Sequence, residues 1–303
     1  MPFAQRAAGT RCTTQAVPWR IMGGVYRGPV LLRIAAGVAL AALCTSCTPS
    51  APWSVALPDP TVRPASSIDA ISSYERAAVT VASIFEQDLE FPSFPVTLHF
   101  FPGRGPFEAA LLESGYDADL ARDTAGSMAA IGGHRQVLLN ESTLVALTWP
   151  ARVGMLAHEL THSLQYEWGG GVRGASDQWL REGFAEWVTA RVLERLGAIT
   201  LEQVRRQKRD DFRRVDRARV PRLEVMATFP EWVAINQELN AAPYAYAFLA
   251  ADFLVERYGL PAVIRYFELF ARSGDRARNF RAAFGENVSS FEDALLEHLL
   301  TRR

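Results

Sequence analysis

The hydrophobic positions of this chain follow a helical period over most of its length. Between residues 150 and 168 the apolar side chains recur every three or four positions, at Val153, Leu156, Leu160 and Leu164. This spacing puts them on one face of an α-helix. Pro150 suits the first turn of such a helix, and the glycines at 169–171 end it. The pattern predicts a helix with a buried stripe on one side and polar residues on the other.

The same period continues through the second half of the chain. It predicts helices over about 176–196, 200–214, 243–258, 261–272, 276–284 and 290–300. Thr200 and Gln203 have the spacing of a capping box, which marks the start of a helix. Gly197 and Gly259 follow predicted helices, at the position where glycine commonly ends one. The second half is therefore expected to be mostly helical.

The first half of the chain mixes helices with strands. Helical spacing predicts a helix over about 67–88 and a shorter one over 107–114. Residues 96–101, with the sequence VTLHFF, are predicted to form a strand. Residues 128–140 are predicted to form a strand pair bent at the glycines 132 and 133, or one strand with a bulge there.

Together these elements predict an α+β fold in a single domain over residues 67–303. Its first lobe, 67–175, is expected to hold a small mixed sheet beside the 150–168 helix. Its second lobe, 176–303, is expected to be helical.

The start of the chain has a composition of its own. Residues 1–47 carry five arginines and no acidic residue, and they include an uncharged apolar run over 34–43. That length is typical of a signal peptide and too short to cross a bilayer. The run ends near Cys47, and the segment resembles a bacterial lipoprotein signal, in which the cysteine is lipidated after cleavage. We expect lipidation at Cys47 after a start at Met1 or Met22, with plain secretion as the alternative. The Pro-rich residues 48–66 are predicted to form an extended tether.

Charge and cysteine content exclude some classes of function. The formal net charge is −1, and the basic N-terminus leaves the rest of the chain mildly acidic. This balance argues against nucleic acid as a partner. All three cysteines, at positions 12, 44 and 47, precede the predicted domain. A metal site in the domain would therefore use histidines and carboxylates rather than thiolates.

The polar side of the 150–168 helix carries the motif His-Glu-x-x-His. His158 and His162 lie one helical turn apart, so both imidazoles can bind one metal ion. Glu159 lies between them in sequence and could take a proton from a water molecule on that ion. Glu182 and Glu186, on the next predicted helix, are also one turn apart. One could be the third ligand while the other accepts a hydrogen bond from a ligand imidazole.

The sequence HELTH at 158–162, followed by WLREGFAE at 179–186, resembles the gluzincin metallopeptidases, which include zinc aminopeptidases and the bacterial peptidase MA-like proteins. The resemblance implies a zincin-like fold, Glu182 as the third zinc ligand and Glu186 as the residue that orients a ligand imidazole. Pro243-Tyr244 resembles the Pro-Tyr pair whose tyrosine stabilises the oxyanion in the aminopeptidases, so Tyr244 is the candidate and Tyr246 the alternative. The chain length and the absence of a Gly-x-Met-Glu-Asn motif argue against a full aminopeptidase.

The resemblance implies a zinc-dependent metallopeptidase that hydrolyses peptide bonds with a zinc-activated water and Glu159 as general base. Its expected partners are a peptide or protein substrate and, through a lipid anchor, the membrane. Its expected location is the bacterial cell envelope, or the outside of the cell if it is secreted. The alternatives are a non-catalytic envelope protein that keeps a gluzincin fold, and a zinc amidase acting on a non-peptide substrate. In zinc peptidases an edge strand beside the metal helix commonly pairs with the substrate, and residues 128–140 are the candidate.

Overall fold

A computed structural model describes residues 51–172, 175–215, 219–239 and 242–301. It contains one four-stranded sheet, made of β1 (Trp53–Leu57), β2 (Val96–Phe101), β3 (Ala130–Gly133) and β4 (Gln136–Asn140). The strand order is β1-β2-β4-β3. β2 and β4 run parallel, whereas the two outer strands pair antiparallel with their neighbours. The sheet is therefore small and mixed, and β3 forms one of its edges.

Twelve α-helices make up most of the rest of the described chain. Before the metal-binding motif come α1 (Tyr74–Gln87), α2 (Arg104–Glu113), α3 (Ala118–Ser127) and α4 (Glu141–Leu144). The central pair is α5 (Trp149–Trp168) and α6 (Gln178–Arg195). The helices that follow are α7 (Leu201–Arg213), α8 (Phe229–Leu239), α9 (Ala242–Tyr258), α10 (Leu260–Leu269), α11 (Arg276–Phe284) and α12 (Val288–Thr301).

The predicted buried stripe of α5 is confirmed. Val153, Leu156, Leu160 and Leu164 are all buried in one hydrophobic cluster that reaches from β1 to α12. The other side of α5 packs against α6 and β3. Burying apolar surface on one side of the helix while a neighbouring helix and a strand cover the other fixes the orientation of its polar residues.

The α+β class, the small mixed sheet and the helical second half are all confirmed. The capping box at Thr200 is confirmed as well, because its hydroxyl accepts from the backbone of Gln203 and the Gln203 side chain accepts in return. Each predicted helix of the second half has its counterpart within a few residues. A zincin-like fold remains a prediction.

The tether predicted over residues 48–66 is wrong for its middle part. Residues 53–57 form β1, which pairs with β2 along its whole length. Val55 and Leu57 point into the core, and the Trp53 ring stacks on Phe100 with 4.1 Å between the ring centroids. The prolines of this segment flank the strand instead of interrupting it, so its alternating pattern outweighs the Pro-rich composition.

Other boundaries differ because local capping decides them. The first helix begins at Tyr74, not near residue 67, because the Ser73 hydroxyl accepts from the N–H of Arg76. The strand pair turns at residues 134 and 135, after the two glycines. Three helices, α3, α4 and α8, were not predicted. At the start of α3 the Asp117 side chain accepts from the N–H of Leu120, and at the start of α8 the Glu231 carboxylate accepts from the N–H and the hydroxyl of Thr228.

The predicted signal peptide over 1–47, with the lipidation site Cys47, lies outside the described residues. Among the helices that the structure describes, none has the length and apolar character needed to cross a membrane.

Candidate metal centre

Three side chains from α5 and α6 bring their polar atoms to one point. The Nε2 atoms of His158 and His162 lie 3.1 Å apart. The Glu182 carboxylate lies 3.4 Å from Nε2 of His158 and 3.6 Å from Nε2 of His162. Ligand atoms arranged tetrahedrally at about 2.0 to 2.1 Å from a zinc ion lie about 3.3 to 3.4 Å apart. The group could therefore hold one metal ion, and the predicted ligand set comes together.

The cluster is largely buried, and two of its side chains remain partly exposed to solvent. The side chain of His158 is 4% exposed, and those of His162 and Glu182 are 11% exposed. Burial would raise the pKa of Glu182, but the neighbouring imidazoles hold it well below its usual value. Glu182 also accepts a hydrogen bond from Nε2 of Gln178, one turn earlier on α6. Glu182 therefore presents an ionised carboxylate to the site, which suits a divalent cation.

Two glycines allow the elements around the cluster to approach each other. A Cβ at Gly183 would lie 2.0 Å from the carbonyl oxygen of Ala247 on α9, and one at Gly132 would lie 2.3 Å from the carbonyl oxygen of Glu159. Both distances are far below van der Waals contact, so no other residue fits without a shift of the backbone. Gly183 brings α9 against the helix that carries Glu182, and Gly132 brings β3 against α5.

The orientation of the His162 ring is set by Gln165, which the sequence analysis missed. Oε1 of Gln165 lies 2.9 Å from Nδ1 of His162, and Nε2 of the same amide donates to the backbone carbonyl of Arg181. Because the amide NH₂ is used as the donor, Oε1 must accept, so Nδ1 of His162 carries the proton. Nε2 is then left with its lone pair for a metal ion.

Glu186, which the resemblance expects to orient a ligand imidazole, faces His158. Oε1 of Glu186 lies 3.5 Å from Nδ1 of His158, and neither atom has another hydrogen-bond partner within the described chain. Oε2 of Glu186 accepts from the Lys208 ammonium at 2.6 Å. Burial would raise the pKa of Glu186, but Lys208 and His158 together lower it. Glu186 is therefore ionised, and the two unpaired atoms need only a small movement to form the bond. Lys208 was also missed by the sequence analysis.

Glu159 is held in place by the sheet. Its Oε2 accepts from the backbone N–H of Gly132 at 2.6 Å. Gly132 lies on β3, whose other edge pairs with β4. The general-base candidate is thus tied to the outer edge of the strand that the sequence analysis nominated for substrate binding.

The two tyrosine candidates have different surroundings. Burial raises the pKa of Tyr244 well above its usual value, and the charges of Glu182, Glu186 and Glu159 raise it further. Its ring packs edge-on against Trp232. Its hydroxyl therefore stays protonated close to the cluster. Tyr246 is buried on another side of α9 and donates to Glu292 at 2.9 Å, so it is engaged elsewhere.

One prediction concerns the protons released when the metal binds. In protein stripped of metal by a chelator, burial opposes a positive charge on His158, but the neighbouring carboxylates of Glu182 and Glu186 outweigh burial and raise its pKa to about 10. The ring is then protonated at pH 8 and must lose that proton to become a ligand. We expect about one proton to be released per zinc ion at pH 8, and affinity to fall as the pH falls.

Calorimetric titration in two buffers of different ionisation enthalpy counts these protons. The same binding enthalpy in both buffers would mean that no proton is released, and would contradict the charge assigned to His158.

The sequence-predicted residues thus converge with one exception. His158, Glu159, His162, Glu182 and Glu186 lie together with Tyr244 nearby, whereas Tyr246 is turned to Glu292. The sequence analysis missed Gln165, Gln178 and Lys208. For the two glutamines, the sequence offered one signal, a polar residue one helical turn from a ligand.

Comparison with protein-family models, with curated proteins and with solved structures finds no match. The assignment therefore depends on the residues and their geometry.

Proposed function

We propose that this chain is a zinc-dependent peptidase. The observation that carries the proposal is the position of Glu159, whose carboxylate is fixed by Gly132 beside a ligand set with tetrahedral spacing. A metal site that serves only stability needs closed coordination by protein ligands. Two imidazoles, one carboxylate and an adjacent base are instead the set that hydrolytic zinc sites use.

Each residue has a role in the proposed reaction. His158, His162 and Glu182 would hold a zinc ion, which supplies Lewis acidity toward a water molecule and the scissile carbonyl. Glu159 takes a proton from the attacking water and passes it to the leaving amine, so that one peptide bond and one water become a carboxylate and an amine. Tyr244, which stays protonated, donates a hydrogen bond to the oxygen on which charge develops.

The outer edge of β3 favours an extended peptide as the substrate. In the described chain no strand pairs with β3 on the side opposite β4. The N–H of Gly132 points away from β4 toward Glu159, so this edge runs past the proposed base. An extended peptide can add to such an edge through main-chain hydrogen bonds, which would bring a peptide bond beside the cluster.

Two other functions share parts of this site. A non-catalytic binding protein could use the same cluster, but it would not require a base fixed at Glu159. A zinc amidase would use the same cluster on a non-peptide amide. Cleavage of a peptide library by the purified zinc-loaded protein separates the three. Hydrolysis that is abolished by a chelator and restored by zinc supports the peptidase, whereas bound zinc with no cleaved peptide contradicts it.

We propose the cell envelope as the place of action, with a lipid on Cys47 as the anchor. The proposal depends on the lipoprotein-like signal in residues 1–47. Incorporation of labelled palmitate that disappears in Cys47→Ser tests it, and incorporation that persists contradicts it.

Tyr244→Phe tests the proposed oxyanion donor. Removing one such hydrogen bond typically costs about 10²-fold or more in rate. We expect kcat to fall by about 10²-fold, with zinc content and KM little changed, in steady-state assays on a peptide identified from the library.

Tyr246→Phe is the matched control on the same helix. It removes a buried hydrogen bond to Glu292, so it should lower the free energy of unfolding by about 1 to 2 kcal/mol and leave kcat unchanged. A kcat loss in Tyr246→Phe that equals the loss in Tyr244→Phe would contradict the assignment of Tyr244.

A further inference from the structure

A buried lysine, Lys208, contacts Glu186 on the side away from the metal centre. Nζ of Lys208 donates to Oε2 of Glu186 at 2.6 Å, and its side chain is 8% exposed. The other carboxylate oxygen faces Nδ1 of His158 at 3.5 Å. A line of polar atoms thus runs from α7 through α6 to the metal-binding helix α5.

Lys208 is the only lysine among the 32 lysine and arginine residues of the chain. One turn earlier on the same helix the basic residue is an arginine, Arg205, which makes two hydrogen bonds to Asp252. A guanidinium is a wide planar fork suited to such two-point contacts, whereas an ammonium is a compact point charge. Lys208 bonds a single oxygen and lies 5.8 Å from the centre of the Phe248 ring. The buried space behind Glu186 therefore suits an ammonium.

We propose that Lys208 is a positioning residue of the metal centre. By holding Oε2 of Glu186, it keeps the carboxylate turned so that Oε1 faces Nδ1 of His158 and can accept from it after a small movement. The imidazole then presents Nε2 toward the position of the ion. Carboxylates that hold a ligand histidine in this way determine metal affinity as well as ring orientation. The inference rests on the proposed metal centre and not on the peptidase activity.

The physical reason is the cost of burying a charge without its partner. The Glu186 side chain is 1% exposed, and an ionised carboxylate at such a depth is stable only when it is paired. Removing the ammonium leaves Glu186 without its closest cation. The Glu186 side chain is then free to leave the conformation in which Oε1 faces His158. The histidine would lose the group that orients its ring.

The test measures the dissociation constant of zinc by competition with a chromogenic chelator. Loss of a residue that supports a ligand typically costs about 10- to 100-fold in metal affinity, so we expect about 10-fold weaker binding for Lys208→Met. Lys208→Arg keeps the charge but not the shape, and should recover part of the loss. Arg205→Met is the matched control on α7, and it should bind zinc as the wild type does although an ion pair is lost.

A double-variant comparison asks whether Lys208 acts through Glu186. If it does, the pair Lys208→Met with Glu186→Gln binds zinc no more weakly than Glu186→Gln alone. The visible spectrum of the cobalt-substituted protein should change in the same way for the two single variants, since both free the same ring. Should Lys208→Met fail to fold, Lys208→Gln keeps a neutral donor and enters the same comparison.

Three results would overturn the inference. Zinc affinity in folded Lys208→Met that equals the wild-type value means that Lys208 does not position the centre. Tighter binding means that the ammonium only repels the ion. Losses that multiply in the double variant mean that Lys208 acts independently of Glu186. If the wild type itself binds no metal, the metal centre and this inference fall together, whereas the other three results leave the metal centre standing.

Discussion

A Glu159→Gln variant is expected to keep its zinc and lose about 10³-fold or more of its peptide hydrolysis. The amide has nearly the shape of the carboxylate, and its oxygen can still accept from the N–H of Gly132. It cannot accept a proton from water, so the step that general-base catalysis accelerates is lost. Zinc content by mass spectrometry and kcat on one cleaved peptide measure both parts of the expectation.

Glu167→Gln is the control for this substitution. Glu167 lies two turns further along the same helix and pairs with Arg135 and His134 on the surface, not with the cluster. Its variant should retain wild-type kcat and zinc. If Glu159→Gln keeps full activity while zinc is bound, Glu159 is not the base, and the proposed reaction is wrong.

Gly183→Ala is expected to have the largest effect on stability. The added Cβ would lie 2.0 Å from the carbonyl oxygen of Ala247 and 2.4 Å from its carbonyl carbon. Both are backbone atoms of α9, so relief requires the two helices to separate. Alanine normally gains about 1 kcal/mol over glycine in a helix. The clash outweighs this gain, and we expect a loss of about 3 kcal/mol in the free energy of unfolding, measured by denaturation in urea.

Gly154→Ala is the matched control. Gly154 is also a helical glycine, on α5, but a Cβ there would meet the Thr189 and Leu193 side chains at 3.4 and 3.5 Å, ordinary contact distances. The propensity gain should then dominate, and the variant should be about as stable as the wild type or up to about 1 kcal/mol more stable. Equal stabilities for Gly183→Ala and Gly154→Ala would show that α6 and α9 do not approach as closely as described.

The site could be predicted where its residues lie close to each other in the sequence. His158 and His162 share a helix face because they are four residues apart, and Glu182 and Glu186 do so for the same reason. Choosing Glu182 over Glu186 as the ligand required the resemblance, since spacing alone treats the two equally. The structure separates them physically, because Glu182 lies near both Nε2 atoms whereas Glu186 faces Nδ1 of His158.

The unpredicted parts depend on contacts between distant residues. The bond from Gly132 to Glu159 spans 27 positions, and the bond from Lys208 to Glu186 spans 22. No local pattern marks such partners, since a single lysine in a charged helix looks like a surface residue. The strand β1 was missed because the prolines on both sides of it suggested an extended tether. Within the strand, buried and exposed residues alternate. The prediction used the average composition of residues 48–66, whereas the packing of five residues within that segment decides that they form a strand.

The central claim is that His158, His162 and Glu182 hold zinc. X-ray absorption at the zinc edge, on protein purified without added metal, tests it most directly. We expect about one zinc per chain with two imidazoles and oxygen ligands at about 2.0 to 2.1 Å, no sulfur, and loss of the signal in His162→Ala. Absence of zinc at stoichiometric level, or a sulfur ligand in its spectrum, would contradict the assignment of the metal centre.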